Sequence, residues 1–145
     1  MNLEYRKYTP EDLFISFRGR ETTEEERWHG LPQGIIHNKP TGNEFIDLFA
    51  ALVHRHMHPH PGFYAKELGV TARELSGCMK VLTGLPTDEW IGRYRWLAVC
   101  DLLLHTGWPL HEIAGKTGYG SVKTFSRAFI EHFGIPATWW RSRNK

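Results

Sequence analysis

The sequence predicts a mainly α-helical fold in which one helical unit is used twice and a long helix joins the two copies. Three observations carry that expectation. The chain repeats itself: "AKELGVTARELSGCMKVLTGLPTDEW", from Ala65 to Trp90, sets against "AGKTGYGSVKTFSRAFIEHFGIPATWW", from Ala114 to Trp140. Ala65 and Gly69 pair with Ala114 and Gly118, and after one inserted residue Leu75, Ser76, Met79, Gly84, Pro86 and Trp90 pair with Phe125, Ser126, Phe129, Gly134, Pro136 and Trp140. Apolar residues fall at helical spacing inside each copy and between them. Helix start and stop signals bracket these runs at the same places in both copies.

Residues 1–43 are the least patterned part. "LFISF" is read as a short strand, "TTEEERWHG" as a short helix with an N-cap, acids and a closing Gly, and "LPQG" and "NKPTGN" as turns. They form an N-terminal extension that packs on the rest or meets a partner. "NEFIDLFAALVHRHM" follows as an amphipathic helix whose expected buried stripe is Phe45, Leu48, Phe49, Leu52 and Val53.

Each repeat opens with a short amphipathic run, "FYAKEL" or "LHEIAGKT". A glycine then turns the chain, because Gly tolerates positive φ after a helix. An N-cap candidate comes next, Thr71 or Ser121. The second helix carries Leu75, Met79 and Leu82 in copy one and Phe125, Phe129 and Phe133 in copy two. A small residue, a glycine turn, a polar cap and a second helix make a helix-turn-helix pattern. The connector, "TDEWIGRYRWLAVCDLLLHTG", starts with acids and ends at Gly107 and Pro109. Its apolar face is Trp90, Ile91, Tyr94, Leu97, Ala98, Leu102 and Leu103, and the helix from Asp88 to His105 is a rod of roughly 27 Å. "PATWWRSR" closes the chain as a short helix, with Trp139 and Trp140 pinning it to the second unit. About seven helices are expected from residue 43 onward.

Composition narrows the function classes. A hydrophobic fraction of 41% and a charged fraction of 23% are those of a soluble globular protein. No apolar run approaches the ~18 residues of a membrane span, and the N-terminus has no signal-peptide core. The formal net charge is +2, unevenly placed: residues 1–43 carry six Lys/Arg against seven Asp/Glu, and residues 44–145 carry twelve against nine. Cys78 and Cys100 form no CxxC pair and read as reduced thiols of a cytoplasmic protein, Cys78 as a small packing residue. Four histidines crowd into "HRHMHPHPG", positions 54–62. His54 and His58 stand at i, i+4, a spacing that suits zinc, but a structural site wants four ligands and no cysteine is near. The stretch is therefore read as a helix end leading into the first unit, with no metal. No nucleophile–base pair or phosphate loop marks an enzyme, and no cofactor is expected.

"ELGVTARELS", "KVLTG", "WIGRYRWLAVCDLLL" and "PLHEIAGKTGYGSVKTFSRAFIEHFGIPATWWR" together resemble the DNA-binding domain of the AraC/XylS family of bacterial transcription regulators. The resemblance covers residues 44–145. It implies two helix-turn-helix units joined by a long helix, double-stranded promoter or operator DNA as the partner, RNA polymerase as a further candidate partner, and no membrane. Thr71, Ala72, Arg73, Ser76 and Gly77 would meet DNA in the first unit; Ser121, Val122, Lys123, Thr124 and Arg127 would do so in the second. Arg forks onto guanine, Thr and Val touch a thymine methyl, and Lys reaches guanine or phosphate. Residues 1–43 are far too few for the ligand-binding barrel many members carry, which places the chain in the short class, with no small-molecule effector indicated. Three places depart from the family's pattern. Gly77 stands where the family often has Arg, Ile130 and Glu131 follow where a Lys or Arg is usual, and Pro86 comes one position early. These departures motivate an alternative, a protein-interaction or adaptor module that keeps the fold with weakened DNA binding.

Overall fold

The structure, a computed structural model, describes residues 8–14, 20–21, 35–36, 41 and 43–144. The elements are α1 (Pro10–Leu13), β1 (Arg20–Glu21), β2 (Ile35–Ile36), α2 (Glu44–His56), α3 (Pro61–Leu68), α4 (Ala72–Thr83), α5 (Thr87–His105), α6 (Leu110–Lys116), α7 (Val122–Phe133) and α8 (Ala137–Asn144). The two strands form one antiparallel ladder, Arg20 opposite Ile36 and Glu21 opposite Ile35. The fold is mainly helical, with two helix-turn-helix units, α3–α4 and α6–α7, on either end of the 19-residue α5. None of the described helices is long and apolar enough to cross a membrane.

Two cores form, and α5 belongs to both. Its first half gives Trp90, Ile91, Tyr94 and Ala98 to a core with Ile46, Phe49, Val53, Tyr64, Leu75 and Met79. Its second half gives Val99, Leu102 and Leu103 to a core with Ile113, Ala114, Phe125 and Phe129. Trp90 stacks on Tyr94 at 5.6 Å and tilts against Phe49 at 5.1 Å, so aromatic faces fill the first core. Arg141 reaches back from α8 and donates from Nε to the Leu103 carbonyl (2.9 Å) and from Nη2 to the Thr106 carbonyl (3.0 Å). It thereby satisfies carbonyls that the end of α5 leaves without helical partners.

The repeat is a repeat of backbone. Gly69 and Gly118 end the turns at φ 72° and 82°, and Gly84 and Gly134 end the second helices at φ 74° and 81°. The inserted residue of copy two is taken up at Gly120, also left-handed at φ 79°. Leu75 and Met79 are buried as Phe125 and Phe129 are.

Several expectations are corrected. In α2 the buried stripe is Ile46, Phe49, Ala50 and Val53, with Leu48 exposed at 53%. Asn43 sets the phase by accepting from the Ile46 N–H at 3.1 Å, while the Asp47 carboxylate takes the Thr41 N–H and hydroxyl. Of the predicted strand "LFISF", Leu13 instead closes a helix and Phe14 caps it; residues 15–17 lie outside the described residues. The predicted helix "TTEEERWHG" and the turn "LPQG" also lie outside them. Trp140 packs on the second core, but Trp139 is 65% exposed and pins nothing. Cys78 is exposed and not a packing residue.

The segment before α2 is part of the first core. Thr9 caps α1 by accepting from the Asp12 N–H, with Pro10 in the first turn. Leu13 is 2% exposed, Phe14 meets Tyr94 edge-on at 5.2 Å, and Trp90 Nε1 donates to the Tyr8 carbonyl at 2.9 Å. Arg93 pairs with Glu11 at 2.8 Å, both ends well exposed. Burial outweighs the ion pair here: Leu13→Ala is expected to cost about 3 kcal/mol, and Glu11→Gln less than about 1 kcal/mol. Urea unfolding of the two variants checks the order.

Candidate nucleic-acid interface

Each unit presents the N-terminal half of its second helix. In the first, α3 stops at Gly69, whose N–H and that of Val70 return to the Lys66 and Ala65 carbonyls. Thr71 then opens α4 with a full capping box. Its hydroxyl accepts the Glu74 N–H at 3.0 Å, and the Glu74 carboxylate accepts the Thr71 N–H at 3.0 Å. These bonds hold the Glu74 carboxyl below the ordinary carboxylate range, the Thr71 backbone N–H being the larger cause and its hydroxyl the smaller. With Leu75, Met79 and Thr83 turned into the core, the opposite side of α4 is open, and Thr71, Ala72, Arg73, Ser76 and Gly77 are all exposed.

The second unit is built the same way with different atoms. Ser121 accepts the Thr124 N–H at 3.1 Å and meets the Thr124 hydroxyl at 3.0 Å. Phe125 and Phe129 face inward, and Val122, Lys123, Thr124 and Arg127 are exposed with Ser121. Lys123, Thr124, Arg127, Ala128 and Glu131 line an open depression of about 400 Å³. Both cap hydroxyls are spent inside their own turns. Anion contact at these ends therefore falls to the free N–H groups of the first helical turn and to the cationic side chains.

The structure thus leaves each predicted set exposed at the N-terminal end of one helix. It also adds Lys80, exposed at i+7 from Arg73 and so on the same side of α4; that spacing was the signal the sequence reading passed over. Arg95, on α5, was missed as well. It is 8% exposed. Gly77 has no heavy atom within 4 Å of an added Cβ, so the gap in α4's open face is bare surface.

The structure draws the histidines apart. α2 ends at His56, and Met57 turns left-handed, which separates the i, i+4 pair His54 and His58. His54 Nδ1 meets the Tyr94 hydroxyl at 2.8 Å, and the His58 ring stacks on Phe63 at 4.3 Å. Among the described residues no three His, Cys, Asp or Glu side chains are grouped to hold a metal. Burial pushes the Cys100 thiol up to about 11, far from an activated thiolate.

The fold and this pair of uncovered helices define a double helix-turn-helix protein. A family profile described as "Helix-turn-helix domain" matches residues 64–143, more than half the chain, and the chain belongs to that family, the AraC-type DNA-binding domains. The lactose operon transcription activator of Staphylococcus xylosus is 30% identical over 77 residues, which are 53% of this chain and 28% of that protein. Among solved structures, the C-terminal domain of AraT, a response regulator from Geobacillus stearothermophilus, is 24% identical at a TM-score of 0.62, over 72% of this chain and 88% of that one. The DNA-binding domain of AdpA, a global transcriptional factor solved with a target DNA, is 21% identical at a TM-score of 0.58, over 66% and 88%.

Two outcomes follow from the local geometry. Gly77→Ala should stabilise the protein by about 0.5–1 kcal/mol, since Ala relieves the entropic cost of a mid-helix glycine at a site with room; thermal melting measures it. Glu74 has a folded-state pKa below its unfolded value, so its contribution is full above the ordinary carboxylate range and is lost as pH falls through the depressed value. The melting temperature of Glu74→Gln should therefore lie below wild type at neutral pH and converge with it in acid.

Proposed function

We propose that the chain is a sequence-specific, DNA-binding transcription regulator that reads two successive major-groove segments, one with α4 and one with α7. Residues 44–145 would be the DNA-binding unit and residues 1–43 an extension. The single observation that carries this reading is the matched exposure of two second helices on one chain, each bare at its N-terminal end. A helix-turn-helix reads with those positions, and paired units read DNA about one helical turn, ~34 Å, apart.

The roles follow from chemistry. Arg127 forks onto guanine O6 and N7, Lys123 reaches guanine or phosphate, and Val122 and Thr124 meet a thymine methyl. In the first unit Arg73 is the base reader, with Ala72 and Ser76 beside it. Thr71 and Ser121 set the helix ends against the phosphates, and Gly77 lets the backbone of α4 come close. Double-stranded promoter DNA is the partner, in the cytoplasm. RNA polymerase is a second partner if the protein activates, as the name of the staphylococcal relative suggests for that protein. The reading assigns no catalysis, cofactor or effector.

The adaptor reading keeps one specific support: Ile130 is 45% exposed beside Glu131, where phosphate anchoring would want a cation. Salt dependence separates the two. A regulator gripping several phosphates loses affinity with a slope of log K on log salt near −0.9 per phosphate, and an adaptor does not.

Fluorescence-anisotropy titration of DNA upstream of the protein's own and neighbouring genes, at two salt concentrations, tests the reading. One fragment is expected to bind specifically. Arg127→Ala should lose about 1–3 kcal/mol on it and relax the preference at one base position. Equal, weak binding of all fragments by both proteins would count against the regulator and for the adaptor.

A further inference from the structure

Gly69 and Gly118 occupy the same place in the two units, and both are left-handed. Their surroundings differ. An added Cβ at Gly69 meets nothing within 4 Å, whereas at Gly118 it would lie 2.2 Å from the carbonyl oxygen of Met57 and 3.4 Å from Arg95 Nη2. Met57 ends α2, in the first unit's core, and Gly118 sits in the turn of the second unit. The backbone of one unit therefore rests directly on the recognition turn of the other, at a distance only glycine permits.

The contact is held from both sides. Met57 is the described non-glycine residue with positive φ (50°), and its 1% exposed side chain anchors it in the first core. Tyr64 fixes the next residue by donating its hydroxyl to the His58 carbonyl at 2.8 Å. From α5, Arg95 Nε donates to the Thr117 carbonyl at 2.9 Å and Nη2 to the Gly118 carbonyl at 3.0 Å. Its guanidinium lies over the Tyr119 ring at 4.2 Å. Burying a charged side chain is costly unless it is paired and hydrogen-bonded; here the guanidinium meets two successive carbonyls and a ring of a single turn. Lys has one compact ammonium and could not span that set.

We infer that Met57, Gly118 and Arg95 are positioning residues that lock the two helix-turn-helix units at one relative angle, so that α4 and α7 engage DNA in fixed phase. Each unit is docked on α5 by its own core. The junction adds the direct tie between the two units, Met57 against the Gly118 turn with Arg95 bonded to that turn. The consequence for DNA rests on the regulator reading; the lock itself does not.

The test uses the full chain with Cys100→Ala, so that Cys78 on α4 and a cysteine introduced as Glu131→Cys on α7 carry spin labels. Without DNA, the label–label distance distribution is expected to be narrow. Arg95→Lys should broaden or shift it, and Gly118→Ala should shift it more, with helical circular dichroism reporting that each variant is folded. Arg95→Met serves if Gly118→Ala does not fold. Unchanged distributions in folded variants overturn the lock whatever happens on DNA. A second arm measures binding to a selected fragment in which two base pairs are inserted between the two contacted segments. Wild type should lose about tenfold or more in affinity, because misaligned sites forfeit simultaneous engagement, and Arg95→Lys should bind the natural spacing more weakly with a flatter spacing profile. Affinity for a fragment carrying the second segment alone should not change. Narrow wild-type distances that the variants broaden or shift, with no specific DNA binding, would sustain the lock and defeat the regulator reading.

Discussion

The helix α5 has to be apolar toward two different neighbours along one rod, and the arrangement of both units depends on that. Trp90, Ile91, Tyr94 and Ala98 face the first core, and Val99, Leu102 and Leu103 face the second. Counted at 3.6 residues per turn, the apolar stripe rotates by roughly a third of a turn between its halves. Each unit is then docked on α5 through side chains in its own second helix: Leu75 and Met79 in one, Phe125 and Phe129 in the other. The side of each second helix that stays uncovered is fixed by the side that is buried. The orientation of the candidate interface is thus a packing result, settled before any charge is considered.

On that shared frame the two units carry their charge differently. α7 has Lys123 and Arg127 in its first two turns and then Ile130 and Glu131; α4 has Arg73, a bare Gly77, and Lys80 a turn further on. Helix-turn-helix proteins touch base edges from the start of the second helix. On the regulator reading α7 concentrates its long donors where bases are read, and α4 spreads them toward the flanking phosphates. The caps point the same way. Glu74 is bound into the capping box of α4, one carboxylate oxygen accepting the Thr71 N–H, while the Ser121–Thr124 pair leaves small groups at the start of α7.

Much of this was legible in the sequence because it is local. A left-handed turn asks for glycine, a helix start asks for a hydroxyl, and a buried face asks for apolar residues at three and four; the repeat states each request twice. What failed to show depended on phase or on distance. In "NEFIDLFAALVHRHM" every residue from Phe45 to Val53 except Asp47 is apolar, so Leu48 and Ile46 compete as stripe members until Asn43 and Asp47 fix where the helix begins. In "TPEDL" the cap, the N1 proline and the acids were all present, but a four-residue helix has no periodicity to announce it. Trp139 and Trp140 are adjacent and so about 100° apart around α8; Trp140 is the one turned to the second core.

The stretch "HRHMHPHPG" shows the limit of local reading most clearly. Its histidines attract attention as ligands, yet they serve as helix-end and stacking groups, and the residue that matters structurally is the methionine among them. Met57 has no signature: a left-handed methionine is unusual, and nothing beside it in sequence asks for one. Met57 caps α2 in the left-handed region, and its carbonyl oxygen faces Gly118, far along the chain, across a gap that leaves no room for a Cβ. Gly69 shows that the glycine itself is explained by its own turn, so its twin, Gly118, would pass as an ordinary turn residue on sequence alone. Only the Met57 carbonyl oxygen, 2.2 Å from where a Cβ of Gly118 would stand, separates them. A duplicated unit repeats what each copy needs to fold by itself; what the copies need from each other appears once, and so has no repeat to reveal it.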